Sequence, residues 1–372
     1  MKKKILITAG GTGGHLFPAQ SLAQQLLATD MDVEVLFAGD GLETNPYLQK
    51  DKYSYKEISS GELSFRKPYL SLINCWRIIK GVLFAWRLIY SFRPDAVVGF
   101  GSYHTFPVLI AAKLNSVPIV LHEGNSIIGK VNRFFSRFAR ITTISFSQSA
   151  WELKGKCLRV DFPLREGYTS VFSSKSDARK YFVLHPTKFT FLVFGGSQGA
   201  LALNTHFCSA VMDIAERTTN FQVLHLTGNQ VVTEELRDFY RDLGVDACVR
   251  DFEKRMDLAW QAADLAITRA GAATIAELLE MAVPSILIPY PFSADRHQEK
   301  NAEFVEKSTG GVLVLLETEL HPTKLSQEIS ALIENERAKL NEMAKGLRDY
   351  KQKNRAQNLC SVVSEVAGLK VR

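Results

Sequence analysis

The chain has 372 residues, 46% hydrophobic and 23% charged, the composition of a globular protein with apolar content for two cores. Its five cysteines, Cys75, Cys157, Cys208, Cys248 and Cys360, are scattered and lack C-x-x-C spacing, which argues for free thiols in a reducing compartment and against a zinc site. The net charge of +6 is uneven: residues 61–140 hold eleven Lys or Arg against three Asp or Glu, a block of +8 that points to an anionic partner such as nucleic acid, acidic lipid or a phosphorylated substrate.

The start, Lys2 to Lys4, is a basic lead to a short apolar run, Ile5 to Ala9. A secretory core needs about 7–15 apolar residues, so this run reads as a first buried strand. Thr8-Ala9-Gly10-Gly11-Thr12-Gly13-Gly14-His15-Leu16-Phe17-Pro18 follows, and Leu22, Leu26 and Leu27 then repeat at helical spacing. Strand, glycine loop and helix aim backbone N–H groups and a helix N-terminus at an anion. The pattern recurs at Phe191 to Ala200, where Gly195-Gly196-Ser197-Gln198-Gly199-Ala200 follows an apolar run. Two such loops predict two α/β domains facing each other across a cleft. The first loop reads Gly11-x-Gly13-x-x-Leu16, so it lacks the last glycine of the dinucleotide fingerprint, and no Gly-Lys-Ser/Thr is present.

Asp30-Met31-Asp32 matches a metal-holding D-x-D pattern, but it precedes the second strand, at the end away from the expected site, and reads as a solvated turn. No other cluster has metal-ligand spacing. Val33–Ala38, Ala96–Phe100, Pro118–Leu121 and Ile141–Ile144 read as further strands, with helices between them. The alternation predicts a parallel, doubly wound sheet, whose ligands bind at the carboxyl ends of its strands. Gly10–His15, Ser102–His104 and His122–Asn125 fall at those ends.

The stretch from Tyr69 to Phe92 is interrupted by Arg77, Lys80 and Arg87, so it fails as a spanning helix. On a helical wheel these cations share a face with Ile73, Trp76 and Phe84. Cations and aromatics together suit a membrane surface; the alternative is a buried helix with a wet edge. Lys130, Arg133, Arg137 and Arg140, interleaved with Phe134, Phe135 and Phe138, form a second such stretch.

Asp161-Phe162-Pro163-Leu164-Arg165 reads as the crossing to the second domain. Phe189–Phe194, Gln222–Leu226, Leu265–Thr268, Ser285–Pro289 and Val312–Leu316 read as its strands, and Glu328 to Val366 as helical. Thr268-Arg269-Ala270-Gly271-Ala272-Ala273-Thr274-Ile275-Ala276-Glu277 puts small residues at a helix start, where phosphate or sugar oxygens are favoured, with Glu277 placed to accept from a ribose diol. The plain alternative is a small-residue helix packed closely on the sheet. Asp295 to Ala302 is a polar loop running into a helix, suited to sugar hydroxyls.

Gly10–His15, Gly195–Ala200, Arg269–Glu277 and Asp295–Ala302, in this order and spacing, resemble the bacterial peptidoglycan lipid-intermediate glycosyltransferases over nearly the full length. The resemblance implies a GT-B-type α/β fold of two Rossmann-like doubly wound domains. Residues 1–163 would take the acceptor and face the membrane. Residues 164–344 would bind the UDP-sugar, and a C-terminal helix, about 345–368, would return to the first domain. It implies inverting transfer of N-acetylglucosamine from UDP-N-acetylglucosamine to the C4 hydroxyl of undecaprenyl-pyrophosphoryl-N-acetylmuramyl-pentapeptide. The partners would be those two substrates and an acidic lipid surface, with no nucleic acid and no tightly bound cofactor. The place would be the cytoplasmic face of the bacterial inner membrane, as a peripheral protein.

By matching position, Thr12, Gly13, Gly14, Asn125, Arg165, Ser197, Glu253, the run Ala272, Ala273, Thr274, Ile275, Ala276, Glu277, and Gln298 would contact the donor. His15, Tyr103, Glu123 and Asn132 would lie on the acceptor side, with His15 the first choice of general base and Glu123 the second. Ile73, Trp76, Arg77, Lys80, Phe84 and Arg87 would dock on the membrane. The sequence departs from the family's pattern where Gly124 stands for Gln, Asp161-Phe162 for Gly-Asn and His297 for Gln. Glu253 stands at a usually aliphatic position, which leaves its backbone to serve the base. Two rivals remain open: another GT-B enzyme, either a lipid glucosyltransferase or a UDP-sugar epimerase, and a non-enzymatic nucleotide-binding membrane-associated protein.

Overall fold

The computed structural model describes residues 2–28, 32–62, 68–165, 168, 174–196, 199–333 and 338–369. Of the sequence-stretch candidates, Asp30, Met31, Ser197 and Gln198 lie outside them. The chain forms two compact units: Met1–Arg165 with Ala356–Arg372, and Glu166–Arg355.

The first unit runs β1 (Lys3–Thr8), α1 (Gly13–Ala28), β2 (Val33–Gly39), β3 (Tyr55–Glu57), α2 (Pro68–Phe92), β4 (Ala96–Gly99), α3 (Phe106–Leu114), β5 (Ile119–Glu123), α4 (Lys130–Phe135), β6 (Ile141–Ile144) and β7 (Cys157–Asp161). The second runs α5 (Lys175–Tyr181), β8 (Phe189–Phe194), α6 (Leu201–Ala215), β9 (Phe221–Leu226), α7 (Gln230–Asp242), β10 (Asp246–Arg250), α8 (Met256–Ala262), β11 (Leu265–Thr268), α9 (Ala272–Met281), β12 (Ser285–Leu287), α10 (His297–Thr309), β13 (Val312–Val314), α11 (Pro322–Ile333) and α12 (Ala338–Lys353). The chain then returns to the first unit with β14 (Gln357–Asn358) and α13 (Leu359–Val366).

Every strand pair in both sheets is parallel. The first sheet has the order β14-β7-β6-β5-β4-β1-β2-β3, and the second β10-β9-β8-β11-β12-β13. Both reverse direction beside their first strand, between β1 and β4 and between β8 and β11. That is the doubly wound arrangement, with its ligand crevice at the reversal. Parallel strands covered on both faces need apolar runs. β1 buries Ile5, Leu6 and Ile7, and all six residues of β8 are buried. On α1, Leu22 and Leu26 are buried, whereas Leu27 faces solvent.

Four strands beyond the expected set appear: β3, β10 and β14, each short or polar, and β7, which takes Asp161 out of the expected inter-domain crossing. The single C-terminal helix expected near 345–368 is two helices, α12 and α13. The break is set by pairing: Gln357 and Asn358 join β7, the Ala356 N–H reaches Asp161, and Asn358 caps α13 by accepting from the Cys360 N–H. α13 then lays Leu359, Cys360, Val362 and Val363 into the first unit's core.

α2 runs through Gly81 without a break. A Cβ there would sit 2.0 Å from the Ser59 carbonyl oxygen, so glycine lets the helix press on that loop. The helix buries Gly81, Ala85 and Ile89. It exposes Ile73, Trp76 and Phe84 as expected, and also Leu72, Ile79, Leu83, Trp86 and Tyr90.

Candidate active site

In the first unit, β1 ends in the Gly10–Gly14 loop. Gly11 takes a positive φ of 81°, and the Thr12 carbonyl accepts from the N–H groups of His15 and Leu16 at 3.2 and 3.3 Å. Thr12 and Gly14 are exposed, Gly13 is buried and His15 is half-buried. The loop therefore opens α1 with its first N–H groups available to an anion.

β5, two strands away across β4, delivers His122 and Glu123, both buried. Burial pushes the His122 imidazole down to about 3, and the neighbouring His15 adds to the shift, so His122 stays neutral near pH 7. Glu123 is filled on both oxygens. Oε1 accepts from the Asn125 N–H at 3.1 Å, and Oε2 from the Gly129 N–H and Asn132 Nδ2, each at 3.0 Å. Burial raises its pKa against the pull of those bonds. A carboxylate so occupied holds the Asn125–Gly129 turn and α4 in place, and the arrangement favours positioning over proton removal. Asn132 also donates to the His122 carbonyl at 3.0 Å. Gly101, φ 83°, leaves room for it, because a Cβ there would lie 3.0 Å from Asn132 Nδ2.

Tyr103 is 38% exposed and stacks on His104, ring centroids 4.0 Å apart. Just before it, Ser102 takes φ 69°, a left-handed conformation that a non-glycine residue adopts at some cost. Arg165, at the end of this unit, places its guanidinium 4.9 Å over the Phe17 ring of α1. On α2, Arg77 ion-pairs Asp40 at 3.2 Å, so it differs from Lys80 and Arg87 as a cation of the exposed face.

In the second unit, β8 ends in Gly195 and Gly196, and Gly199 precedes α6. A Cβ on Gly195 would lie 2.3 Å from that of Ala200, so only glycine fits against Ala200 there. β11 ends at Thr268, and Gly271 opens α9. Ala270 and Thr274 are buried, with Gly271, Ala272 and Ala273 half-buried. Gln298 accepts on Oε1 from the N–H groups of Ala270 at 3.2 Å and Tyr290 at 3.0 Å. That ties the start of α9 and the Tyr290 loop to α10. Arg269 is internal. It donates to the Ile288 carbonyl at 3.1 Å, pairs Glu317 at 2.5 Å, and lies 5.6 Å from the Tyr290 ring centroid. It supports the Pro289–Tyr290 loop. Asp295 and Arg296 both take left-handed φ near 50°, and His297 Nδ1 contacts the Ala294 carbonyl at 2.8 Å.

Glu277 is 7% exposed, and its Oε2 accepts from Trp260 Nε1 at 2.9 Å. Glu253 is equally buried. Its carboxylate pairs with Arg250 and accepts from the Arg255 N–H at 2.7 Å, while its own backbone N–H and carbonyl stay unbonded among the described residues. Among the described residues no group of three His, Cys, Asp or Glu is placed to hold a metal.

Sequence reasoning singled out neither Asp40 nor the His104 side chain. His104 Nδ1 lies 3.3 Å from Asp40 Oδ2, against the first glycine loop. The signal was there in Gly39-Asp40-Gly41 and Ser102–His104, both at strand ends, but their pairing depends on β2 and β4 flanking β1.

The glycosyltransferase family 28 N-terminal domain matches residues 5–144, and the family 28 C-terminal domain matches residues 190–359. Over all 372 residues the chain is 42% identical to a UDP-N-acetylglucosamine–N-acetylmuramyl-(pentapeptide) pyrophosphoryl-undecaprenol N-acetylglucosamine transferase of Protochlamydia amoebophila, covering 97% of that protein. A transferase of the same name from Chlamydia felis is 37% identical, covering 98% of this chain and 99% of the relative. Among solved structures, Acinetobacter baumannii MurG superposes with a TM-score of 0.77 at 27% identity, over 98% of this chain and 99% of that one.

Proposed function

The chain belongs to glycosyltransferase family 28, and from its full-length likeness to transferases of one activity we infer that it performs the same transfer. It moves N-acetylglucosamine from UDP-N-acetylglucosamine to undecaprenyl-pyrophosphoryl-N-acetylmuramyl-pentapeptide, making the disaccharide lipid precursor of peptidoglycan. The single observation that carries this is the 42% identity over the whole chain. The nucleotide sugar is a substrate, and no tightly bound cofactor takes part.

The chemistry is one inverting displacement. The acceptor C4 hydroxyl attacks the anomeric carbon, the new C–O bond forms as the bond to UDP breaks, and UDP leaves with the electron pair. The starts of α1 and α9 supply N–H groups that stabilise developing negative charge. The donor group is Thr12, Gly13, Gly14, Asn125, Arg165, Ser197, the Glu253 backbone, Ala272 to Glu277 and Gln298. Gln298 supports this reading by holding the Ala270 N–H, at the start of α9, and the Tyr290 N–H. The acceptor group is Tyr103 and Asn132 with His15 and Glu123. His15, in the first turn of α1, takes the hydroxyl proton. Glu123, with both oxygens filled, orients its surroundings.

No helix of the described residues is long and apolar enough to cross a membrane. Docking on the cytoplasmic face of the inner membrane is carried by α2, where Ile73, Trp76 and Phe84 stand exposed among Lys80 and Arg87. The test of function is UDP release from UDP-N-acetylglucosamine with and without the lipid-pyrophosphate muramyl acceptor. Acceptor-dependent release supports the reading. Equal release with diacylglycerol, or binding without turnover, favours one of the rivals.

A further inference from the structure

We propose that His104, held by Asp40, is an acceptor-binding residue whose free ring nitrogen contacts an anionic oxygen of the acceptor's pyrophosphate at the Gly10–Gly14 loop. The proposal rests on the lipid-linked acceptor assigned above. Its basis is topological. β2 and β4 flank β1 in the sheet. Asp40 immediately follows β2, and His104 stands in the turn after β4. The two side chains therefore meet above the carboxyl end of β1, where the glycine loop begins.

The loop is shaped around the imidazole. A Cβ on Gly10 would lie 2.6 Å from His104 Cβ and 2.9 Å from the Asp40 carbonyl oxygen. One on Gly11 would lie 3.2 Å from both Cδ2 and Nε2 of His104. Glycines here serve the histidine as well as any ligand, since only they let the ring edge reach the loop backbone.

The ring is fixed from the other side. Nδ1 faces Asp40 Oδ2 at 3.3 Å, and the Tyr103 ring stacks on its face. Asp40 is itself anchored: its Oδ1 takes the Ser60 N–H at 3.0 Å and Arg77 at 3.2 Å. Burial pushes the Asp40 carboxyl up, but His104, the Ser60 N–H and Arg77 outweigh it and hold the group below its ordinary value. Nδ1 is buried at ion-pair distance from this carboxylate, without hydrogen-bond geometry, so Nε2 is the nitrogen left for a ligand, and it makes no hydrogen bond among the described residues. In the imidazolium form it donates. The carboxylate on one side and a phosphate on the other match the arrangement in which an orienting acid fixes a histidine for its partner. Asp40 acts through His104 and is a positioning residue.

Two parts of the acceptor carry anionic oxygens, the pyrophosphate and the peptide carboxylates, and the experiment separates them. Binding of a short-chain prenyl pyrophosphate, which has neither sugar nor peptide, is measured by calorimetry. Steady-state kinetics with a soluble acceptor analogue run alongside. His104→Ala is expected to weaken prenyl pyrophosphate binding roughly ten- to hundredfold, the loss of one charge-assisted hydrogen bond. It raises acceptor KM by more than it lowers kcat and leaves donor KM near wild type. His104→Gln, which keeps an N–H donor, recovers part of the loss, and Asp40→Asn gives a smaller loss of the same kind. Unchanged prenyl pyrophosphate affinity in folded His104→Ala overturns the proposal, even if acceptor KM rises, because the contact would then lie on sugar or peptide. If His104→Ala fails to fold, wild-type affinity in Asp40→Asn together with no loss in His104→Gln overturns it as well. Failure of the wild-type protein to glycosylate the acceptor would instead sink the functional reading, and the calorimetry is independent of turnover.

Discussion

The indole N–H of Trp260 donates to Glu277 Oε2 at 2.9 Å, joining α8 to α9 through two buried side chains. Glu277 therefore serves the fold, beside the donor role proposed for it. Glu277→Ala leaves a buried indole N–H without its acceptor, at a cost of roughly 1–3 kcal/mol in stability, and weakens UDP-N-acetylglucosamine by a similar roughly 1–3 kcal/mol. Glu277→Gln keeps an acceptor for Trp260, so its melting temperature stays near wild type while donor affinity still falls. Calorimetric titration and thermal unfolding of both variants check this. Unchanged donor affinity in both removes Glu277 from the donor site and leaves it a structural residue.

His15 carries the proton-transfer step of the account. His15→Ala lowers kcat by about 10²–10⁴ with little change in donor affinity. His122 cannot substitute, because burial holds its imidazole at about 3. Preserved kcat with a raised acceptor KM would make His15 a positioning residue.

His225 gives the second unit a defined acid sensitivity. It is fully buried between Tyr240, 2.8 Å from Nδ1, and Asn204, 3.1 Å from Nε2, and burial pushes it down to about 3. The unfolded chain binds a proton near the ordinary 6.5 that the native unit refuses until about 3. Stability is thus fully present above about pH 6.5 and falls as pH drops toward 3, by at most about 1.4 kcal/mol per pH unit. Hydrogen exchange of the Phe221–Leu226 amides, corrected for intrinsic rates, should show this slope. His225→Gln should flatten it by about one proton, and an unchanged slope would assign the acid sensitivity elsewhere.

The fold was largely legible because parallel strands are buried on both faces and so appear as apolar runs. β1, β5 and β8 stand within a residue or two of where those runs lie. β3, Tyr55–Glu57, and β14, Gln357–Asn358, carry no such signal: they are two or three residues long at sheet edges, and pairing alone makes them strands. The wheel for α2 found the cations but undercounted the apolar exposure. Leu72, Ile79, Leu83, Trp86 and Tyr90 look like core residues by type, and only the packing of Gly81, Ala85 and Ile89 shows which face is inside. The candidate site was legible as loops and helix starts. Its long-range polar pairing was not: Trp260 with Glu277, and Asp40 with both His104 and Arg77, join residues 17, 64 and 37 apart in sequence, which no local pattern links.

The exposed face of α2 predicts reversible, salt-sensitive binding to acidic vesicles. Each cation near the surface contributes about 1 kcal/mol, and the apolar side chains add burial. Trp76→Ser and Phe84→Ser combined with Lys80→Gln and Arg87→Gln should abolish flotation with such vesicles. Arg77 is left in place because it anchors Asp40. Turnover of a soluble short-chain acceptor should persist in this variant. A variant that still floats would place the docking surface elsewhere.

The most direct test of the whole account is the anomeric configuration of the product, read by NMR after incubation with UDP-N-acetylglucosamine and the lipid-linked muramyl pentapeptide. A single displacement with His15 as base predicts N-acetylglucosamine joined to the C4 oxygen of the muramyl sugar, its configuration inverted from that in the donor. A retained configuration, or UDP released with no disaccharide formed, would contradict it.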